Sequence, residues 1–291
     1  MIRIGTRGSA LALAQASWVA SQLDEAELIT ITTSGDRGEA LGDKSRWTSA
    51  LESALLAGEI DVAVHSAKDV PGDIAEGTVV AAIPGRQDPR DALSGAAEFA
   101  SLGSGARVGT SSIRRAAQLR ALREDIQIVE LRGNVDTRLR KLAEGQVDAL
   151  VLAYAGLIRL GRSAEAGCVL DELVPAPGQG ALIVQARAGD EQALATLTMI
   201  NDPEAERCVI AERALASSLN ATCNTPVGAS AVPASGNDVT LKAWVGLPDG
   251  SQWIADELTG PGETLGALVA ERMTKAGASE LLEQAERMAA T

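Results

Sequence analysis

Arginine recurs in this sequence where a β-type run gives way to helical spacing. In "RVGTSSIRRAAQLR" a strand pattern ending at Val108 passes through Gly109, Thr110, Ser111 and Ser112 into a helix that opens with Arg114 and Arg115. Small side chains at such a junction let the first backbone N–H groups of the helix converge on an anion. Two guanidinium groups would hold carboxylates through paired donors, where a lysine offers a point charge. Taken alone, the stretch reads equally as a capped helix with two solvent-facing arginines. "LRGNVDTRLRKL" repeats the arrangement: Arg132 at a strand end, Gly133 and Asn134 in the turn, Arg138 in the first turns of the next helix. "AGLIRLGR" adds Arg159 and Arg162, and "RIGTRGSALAL" sets Arg7 and Ser9 at the first such junction, suited to the opposite wall of a cleft. The ligand this pattern calls for is small and carries several carboxylates or phosphates.

An acid accompanies the arginines. In "DVAVHSAKDVPGD" the strand pattern Asp61 to His65 ends in a loop holding Lys68 and Asp69, with Pro71 closing it. A carboxylate among cations stays ionised at neutral pH, which suits it to face a developing cation or to exchange protons with a bound N–H. The plain alternative is a surface ion pair of little energetic weight. His65 is the only histidine and is expected to be structural, so neither a zinc site nor a Ser-His-Asp triad is credible. One of the three cysteines, Cys223, stands in an open loop, "SSLNATCNTPVGAS", among small and polar neighbours.

The elements that must position these residues alternate. "RIGTR", "ELITITTSG", "DVAVHS" and "TVVAAIP" read as strands, and "SALALAQASWVASQL" and "RWTSALESALLAG" as helices. The same rhythm runs on to "DALVLAY" and "AGLIRLG", which implies α/β units with mainly parallel sheets and helices on both faces. "IPGRQDPRD" (Ile83 to Asp91) and "VPAPGQGA" (Val174 to Ala181) read as paired crossings between two lobes. After Asp202 the pattern changes to a long helix, three strands and a final amphipathic helix from about Thr264, a separate small α+β domain.

At 291 residues the chain can bury two or three cores, and 46% hydrophobic with 22% charged residues make it an ordinary globular protein. The apolar stretch Ala149 to Ile158 is too short for a membrane helix of about 20 residues. Arg3 and Arg7 ahead of "SALALAQASWVA" imitate an export signal, but Gln15 and Ser17 interrupt the apolar run. The cysteines are therefore expected as reduced thiols in the cytoplasm. Net charge is −13, yet residues 101–162 hold eleven Lys or Arg against six Asp or Glu. A basic segment in an acidic protein suggests a focused anion site rather than a surface for a polyanion. With aromatic residues at 2%, little is left for bases to stack on, so nucleic acid is a poor partner.

Together these motifs resemble the porphobilinogen deaminase (hydroxymethylbilane synthase) family. "RIGTRGSALAL", "AVHSAKDVP", "DPRDAL", "VGTSSIRR", "LRGNVDTRL", "AGLIRLG", "PAPGQGA" and "CNTPVGA" stand in that family's order and approximate spacing over nearly the whole chain. The resemblance implies a first lobe at residues 1–86 with 178–200, a basic second lobe at 87–177, and a small α+β domain with the cysteine loop at 201–291. The two lobes would be built like those of periplasmic anion-binding proteins. It implies a transferase with a dipyrromethane cofactor, made from two porphobilinogen units and thioether-linked to the loop cysteine, a position that Cys223 matches. The enzyme would extend this primer by four porphobilinogen units head to tail, losing ammonia each time, before hydrolysis releases hydroxymethylbilane for heme biosynthesis. By the same matching Asp69 takes the catalytic aspartate position, an anion close to the pyrrole nitrogens. Lys68, Asp69, Ser112, Arg114 and Arg115 would hold the cofactor, and Arg7, Ser9, Arg132, Arg138 and Arg159 the substrate or the elongating chain. The implied protein is a cytoplasmic monomer acting on a small molecule, with no metal, membrane or nucleic acid.

The chain departs from the family at two places. Ala221 and Thr222 precede the cysteine where a Gly-Gly pair is usual, and "KSRW" (Lys44 to Trp47) replaces a common Lys-Gly-Leu-Phe. Cys168 and Cys208 match no functional cysteine, and Cys208 beside Val209 is expected in a helix core. Two rivals stay open on sequence alone. A non-enzymatic anion-binding protein would leave Cys223 and the third domain without a job, and a cysteine-nucleophile transferase would want a base within reach.

Overall fold

The computed structural model describes residues 1–33, 45–222 and 225–289, with residues 45–47 described by their backbone. The first lobe contains β1 (Ile2–Thr6), α1 (Ala10–Ala20), β2 (Ala26–Thr30), α2 (Ser45–Leu56), β3 (Val62–Ser66) and β4 (Thr78–Ala82). The chain then crosses to a second lobe of β5 (Asp91–Ser94), β6 (Arg107–Gly109), α3 (Ile113–Leu122), β7 (Gln127–Val129), α4 (Val135–Ala143), β8 (Ala149–Ala153), α5 (Tyr154–Arg159) and β9 (Cys168–Leu170). It returns to the first lobe with β10 (Leu182–Arg187) and α6 (Glu191–Thr198). A third unit follows: α7 (Pro203–Ser218), β11 (Val227–Pro233), β12 (Asp238–Gly246), β13 (Trp253–Pro261), α8 (Gly262–Lys275) and α9 (Ala278–Ala289).

The two lobes share one plan. Their sheets run β2-β1-β3-β10-β4 and β7-β6-β8-β5-β9. In each, the single antiparallel strand is one that borders a crossing: β10 between β3 and β4, and β5 between β8 and β9. The other four strands point the same way, as the alternating pattern implied. Helices cover both faces because the strands are apolar on both sides. In the first lobe Ile4, Val62, Val64, Leu182 and Val184 meet Ala16 and Val19 of α1 and Leu197 of α6, while Ala63 meets Leu51 and Leu55 of α2. In the second, Val108, Ala149 and Val151 meet Leu119 of α3, and Leu150 and Leu152 meet Leu139 of α4 and Leu157 of α5.

The third unit is an antiparallel sheet, β11-β12-β13, packed on helices. Leu215, Val269, Met273 and Leu282 cover Ala229, Leu241, Ala243 and Val245. Cys208 sits in that core at 2% exposure, and burial pushes its thiol up to about 11, so it is the helix-core cysteine expected. The final helical pattern is two helices rather than one, because Gly277, at φ +101°, breaks it between α8 and α9. Among the described residues no helix is long and apolar enough to cross a membrane.

Candidate active site

A cleft of about 750 Å³ lies between the two lobes, at the carboxyl ends of their strands. On the first-lobe side β1 leads into Arg7 and Ser9, and Ser9 caps α1 by accepting a hydrogen bond from Ala12 N at 3.3 Å. β3 leads into a 3-10 turn, Ala67–Asp69, whose Lys68 and Asp69 both line the cleft instead of forming a pair on the outer surface. Facing them from the second lobe are Arg115, Arg138 and Arg159.

A second cavity, about 640 Å³, shares Lys68 with the cleft and is lined by Ser112, Arg114, Arg213, Thr222 and Thr225. Thr222 and Thr225 flank residues 223 and 224 and are tied to each other: Thr222 N donates to Thr225 Oγ1 at 2.8 Å, and that hydroxyl donates to Thr222 O at 3.0 Å. Thr222 Oγ1 also donates to Glu286 of α9 at 3.2 Å, a contact that the glycine usual at this position could not make. Cys223 itself lies outside the described residues, as do Lys44 and the side chain of Trp47.

Arg114 and Arg115 are not the solvent-facing pair that sequence alone allowed. Both are buried and converge on Asp91, which is fully buried at the start of β5. Arg114 Nη2 donates to Asp91 Oδ2 at 2.8 Å; Arg115 donates to Oδ1 through Nη2 at 2.8 Å and Nε at 3.0 Å, and Gln179 Nε2 adds a bond at 2.7 Å. Burial alone would push the Asp91 carboxyl up, but the two guanidinium charges hold it well below the usual carboxylate range. Asp91 and Gln179 stand within the motifs "DPRDAL" and "PAPGQGA", but their residue types alone do not mark them as site residues. Two adjacent arginines at a buried helix start require a carboxylate, and that requirement was the available signal.

The remaining cations differ in what holds them. Burial, then the Arg115 charge, pushes the Lys68 ammonium down to about 8 against the pull of Asp69, and Lys68 Nζ donates to Gln179 Oε1 at 3.3 Å. Arg138 donates to Gly133 O at 2.7 Å and Ser111 Oγ at 3.0 Å; Arg159 donates to Gly180 O at 2.7 Å. Neither forms an ion pair with a carboxylate among the described residues, and burial pushes each down to about 10. Arg132, placed with the substrate by its motif, lines neither cavity: it is more than half exposed and pairs with Glu130. Arg162 pairs with Asp136 and Glu165. Ser112 caps α3 by accepting from Arg115 N at 3.4 Å. His65 is buried outside both cavities, and burial pushes it down to about 4, so it is neutral.

Backbone packing fixes the Asp69 turn against the second crossing. Gly178, at φ +75°, lies so close that a Cβ there would stand 2.9 Å from the Ala67 Cβ. Gly180, at φ +85°, would place one 2.3 Å from Gln87 O of the first crossing. The glycines of "PAPGQG" are thus needed both for their dihedral angles and for three segments meeting backbone to backbone.

Comparison with known proteins decides the family. Residues 2–195 match the family model described as porphobilinogen deaminase, dipyromethane cofactor binding domain, and residues 206–275 match porphobilinogen deaminase, C-terminal domain. The chain belongs to the porphobilinogen deaminase family. A porphobilinogen deaminase of Deinococcus radiodurans is 44% identical across 97% of this chain and 98% of its own, and one of Rubrobacter xylanophilus is 47% identical across 96% and 95%. A solved structure of a nutrient binding protein from Burkholderia cenocepacia bound to methionine is similar over 70% of this chain and 93% of its own, at 14% identity and a TM-score of 0.44. Within the family, the segment carrying Lys68, Asp69, Ser112, Arg114 and Arg115 is the cofactor-binding domain.

Proposed function

We propose that this chain joins porphobilinogen units head to tail on a dipyrromethane primer held by Cys223, and releases hydroxymethylbilane by hydrolysis. The observation that carries the reading is the pair of cavities sharing Lys68: one is lined by Thr222 and Thr225, which flank residues 223 and 224, the other by Asp69 and the cleft arginines. The lining fits such a primer. A dipyrromethane built from two porphobilinogens carries four carboxylates, and the second cavity offers Lys68, Arg114 and the Ser112 hydroxyl to hold them. Arg114 Nε is buried there with no hydrogen-bond partner among the described residues, a donor that a ligand carboxylate would satisfy. When bound, the primer supplies the nucleophilic pyrrole carbon.

The chain's own residues do the rest. Arg138 and Arg159 hold acetate and propionate groups of the incoming unit, with Arg7 and Ser9 opposite and Arg132 recruited from the rim as the chain lengthens. Asp69 provides the negative charge that stabilises the substrate cation formed as ammonia leaves, and accepts a hydrogen bond from a pyrrole N–H. Asp91 pairs with Arg114 and Arg115 and orients them without lining either cavity. One copy of the chain builds both cavities, which supports action as a monomer, and Cys168 and Cys208 are free thiols, in keeping with a reducing cytoplasm.

Intact-mass measurement with peptide mapping of the parent and Cys223→Ser tests the reading. The expected result is a dipyrromethane increment on Cys223 that is absent from the variant. Fully active protein with an unmodified Cys223 would refute the covalent primer, and an adduct on Cys168 or Cys208 would overturn the alignment behind the site.

A further inference from the structure

Asp69 is placed by its backbone. Its carboxylate accepts no hydrogen bond from a described residue, so its position depends on how the turn is held at either end. On the N-terminal side Ala67 N donates to Ala181 O at 3.0 Å, and Gly178 packs against Ala67. On the C-terminal side one side chain does the work. Arg213 donates to Val70 O through Nη1 at 3.1 Å, and through Nη2 to Pro71 O at 2.6 Å and Gly72 O at 3.3 Å. No backbone N–H among the described residues reaches those three carbonyls. Arg213 comes from α7, the helix that ends shortly before Cys223. It forms no ion pair with a carboxylate among the described residues, and burial pushes its guanidinium down.

We infer that Arg213 is a positioning residue for the condensation. It fixes the segment after Asp69 from the helix that leads to the cofactor loop, and so keeps the catalytic carboxylate in register with the primer. The inference rests on the proposed roles of Asp69 and Cys223. A carboxylate at Arg213 would give a different picture, that of a ligand-gripping arginine, and the two differ in what a substitution does. Loss of a grip raises KM or changes which enzyme-bound intermediates accumulate. Loss of positioning slows every condensation alike, because Asp69 serves each of them.

The test uses the full chain with its primer and compares Arg213→Gln, Arg213→Lys and Asp69→Asn with the parent. Misplacing a reacting group by about 1 Å can lower a rate about a hundredfold. Arg213→Gln is therefore expected to lower kcat by about that factor, with KM within about twofold of the parent and the pattern of bound intermediates unchanged. Arg213→Lys, whose ammonium can still donate to the Pro71 carbonyl, is expected to lose only about three- to tenfold. A parental kcat in Arg213→Gln overturns the inference. So does a raised KM with unchanged kcat, or a lowered melting temperature with parental kcat per folded molecule. Should Arg213→Gln fail to fold, Arg213→Lys decides: a kcat lowered at least about threefold at unchanged KM supports the inference, and a parental kcat overturns it. Near-parental turnover in Asp69→Asn would instead remove the proposed role of Asp69, whereas an inactive Asp69→Asn beside a fully active Arg213→Gln would remove Arg213 alone.

Discussion

Arg138 and Arg132 stand six residues apart in one motif, yet the structure assigns them unequal weight. The Arg138 guanidinium uses Nε on Gly133 O and one N–H of Nη2 on Ser111 Oγ. Of its five N–H donors three remain, enough for a bidentate carboxylate contact in the cleft. A charge-assisted hydrogen bond of this kind contributes about 1.5 to 3 kcal/mol, and about 1.4 kcal/mol is a factor of ten in rate. Arg138→Ala should therefore lower kcat/KM for porphobilinogen about 10- to 150-fold. Folding should survive, because α4 is started by Asn134, whose Oδ1 accepts from Thr137 N at 2.9 Å independently of Arg138. Arg132 must leave Glu130 before it can reach a ligand, and an exposed ion pair contributes about 1 kcal/mol or less. Arg132→Ala should therefore lose less, within about tenfold. Steady-state kinetics, read with native gels of the enzyme-bound intermediates, compares the two. The expected gel for Arg138→Ala shows normal primer content and an altered ladder of intermediates. If Arg138→Ala stays within about twofold of the parent, or Arg132→Ala is the more damaging change, the argument from free donors in the cleft is wrong.

Lys68 should impose an alkaline limb on attachment of the primer to the primer-free protein. Its folded pKa of about 8 lies below the ordinary 10.5, so the folded, unliganded protein binds fewer protons than the unfolded chain between those values. Stability therefore rises with pH across that window, while the grip on carboxylates is complete below about 8 and weakens above it. Lys68→Arg, which keeps its charge throughout, should abolish the limb, and a limb that persists in that variant belongs to another group. Asp91→Asn should destabilise the protein by about 3 to 5 kcal/mol in chemical denaturation, because two buried guanidinium groups lose their shared charge. A loss below about 1 kcal/mol would show that Arg114 and Arg115 are satisfied without it.

What the sequence made legible follows from the range over which each interaction acts. The junctions were readable because a helix start is a local event: Ser9, Ser112 and Asn134 each cap the helix that the pattern opens there. The direction of most strands was readable for the same reason, since strand-helix-strand units impose it. The antiparallel β10 and β5 were not, because their pairing depends on where a crossing returns. Asp91 and Gln179 escaped notice because their partners, Arg115 and Asp91, lie 24 and 88 residues away. Arg213 escaped it because it meets carbonyls 141 to 143 residues distant, and carbonyls leave no trace in residue type.

The basic excess of residues 101–162 shows where segment charge misleads. Much of it is cancelled close by: Arg123 by Asp125, Arg132 by Glu130, Arg140 by Glu144, Arg162 by Glu165. In each pair the carboxylate is within four residues, near enough to be read from spacing. Arg159 has no acid within four residues on either side, and among the described residues it forms no ion pair in the cleft. Arg138 has Asp136 two positions before it, but Asp136 is taken by Arg162, and Arg138 has no ion pair among the described residues. Which arginines stay unpaired in the cleft thus depends on which ones the neighbouring acids fail to reach, and a total over the segment cannot show that. Arg162 stands at a junction like the others but is paired with Asp136 and Glu165, whereas Arg138 and Arg159 line the cleft.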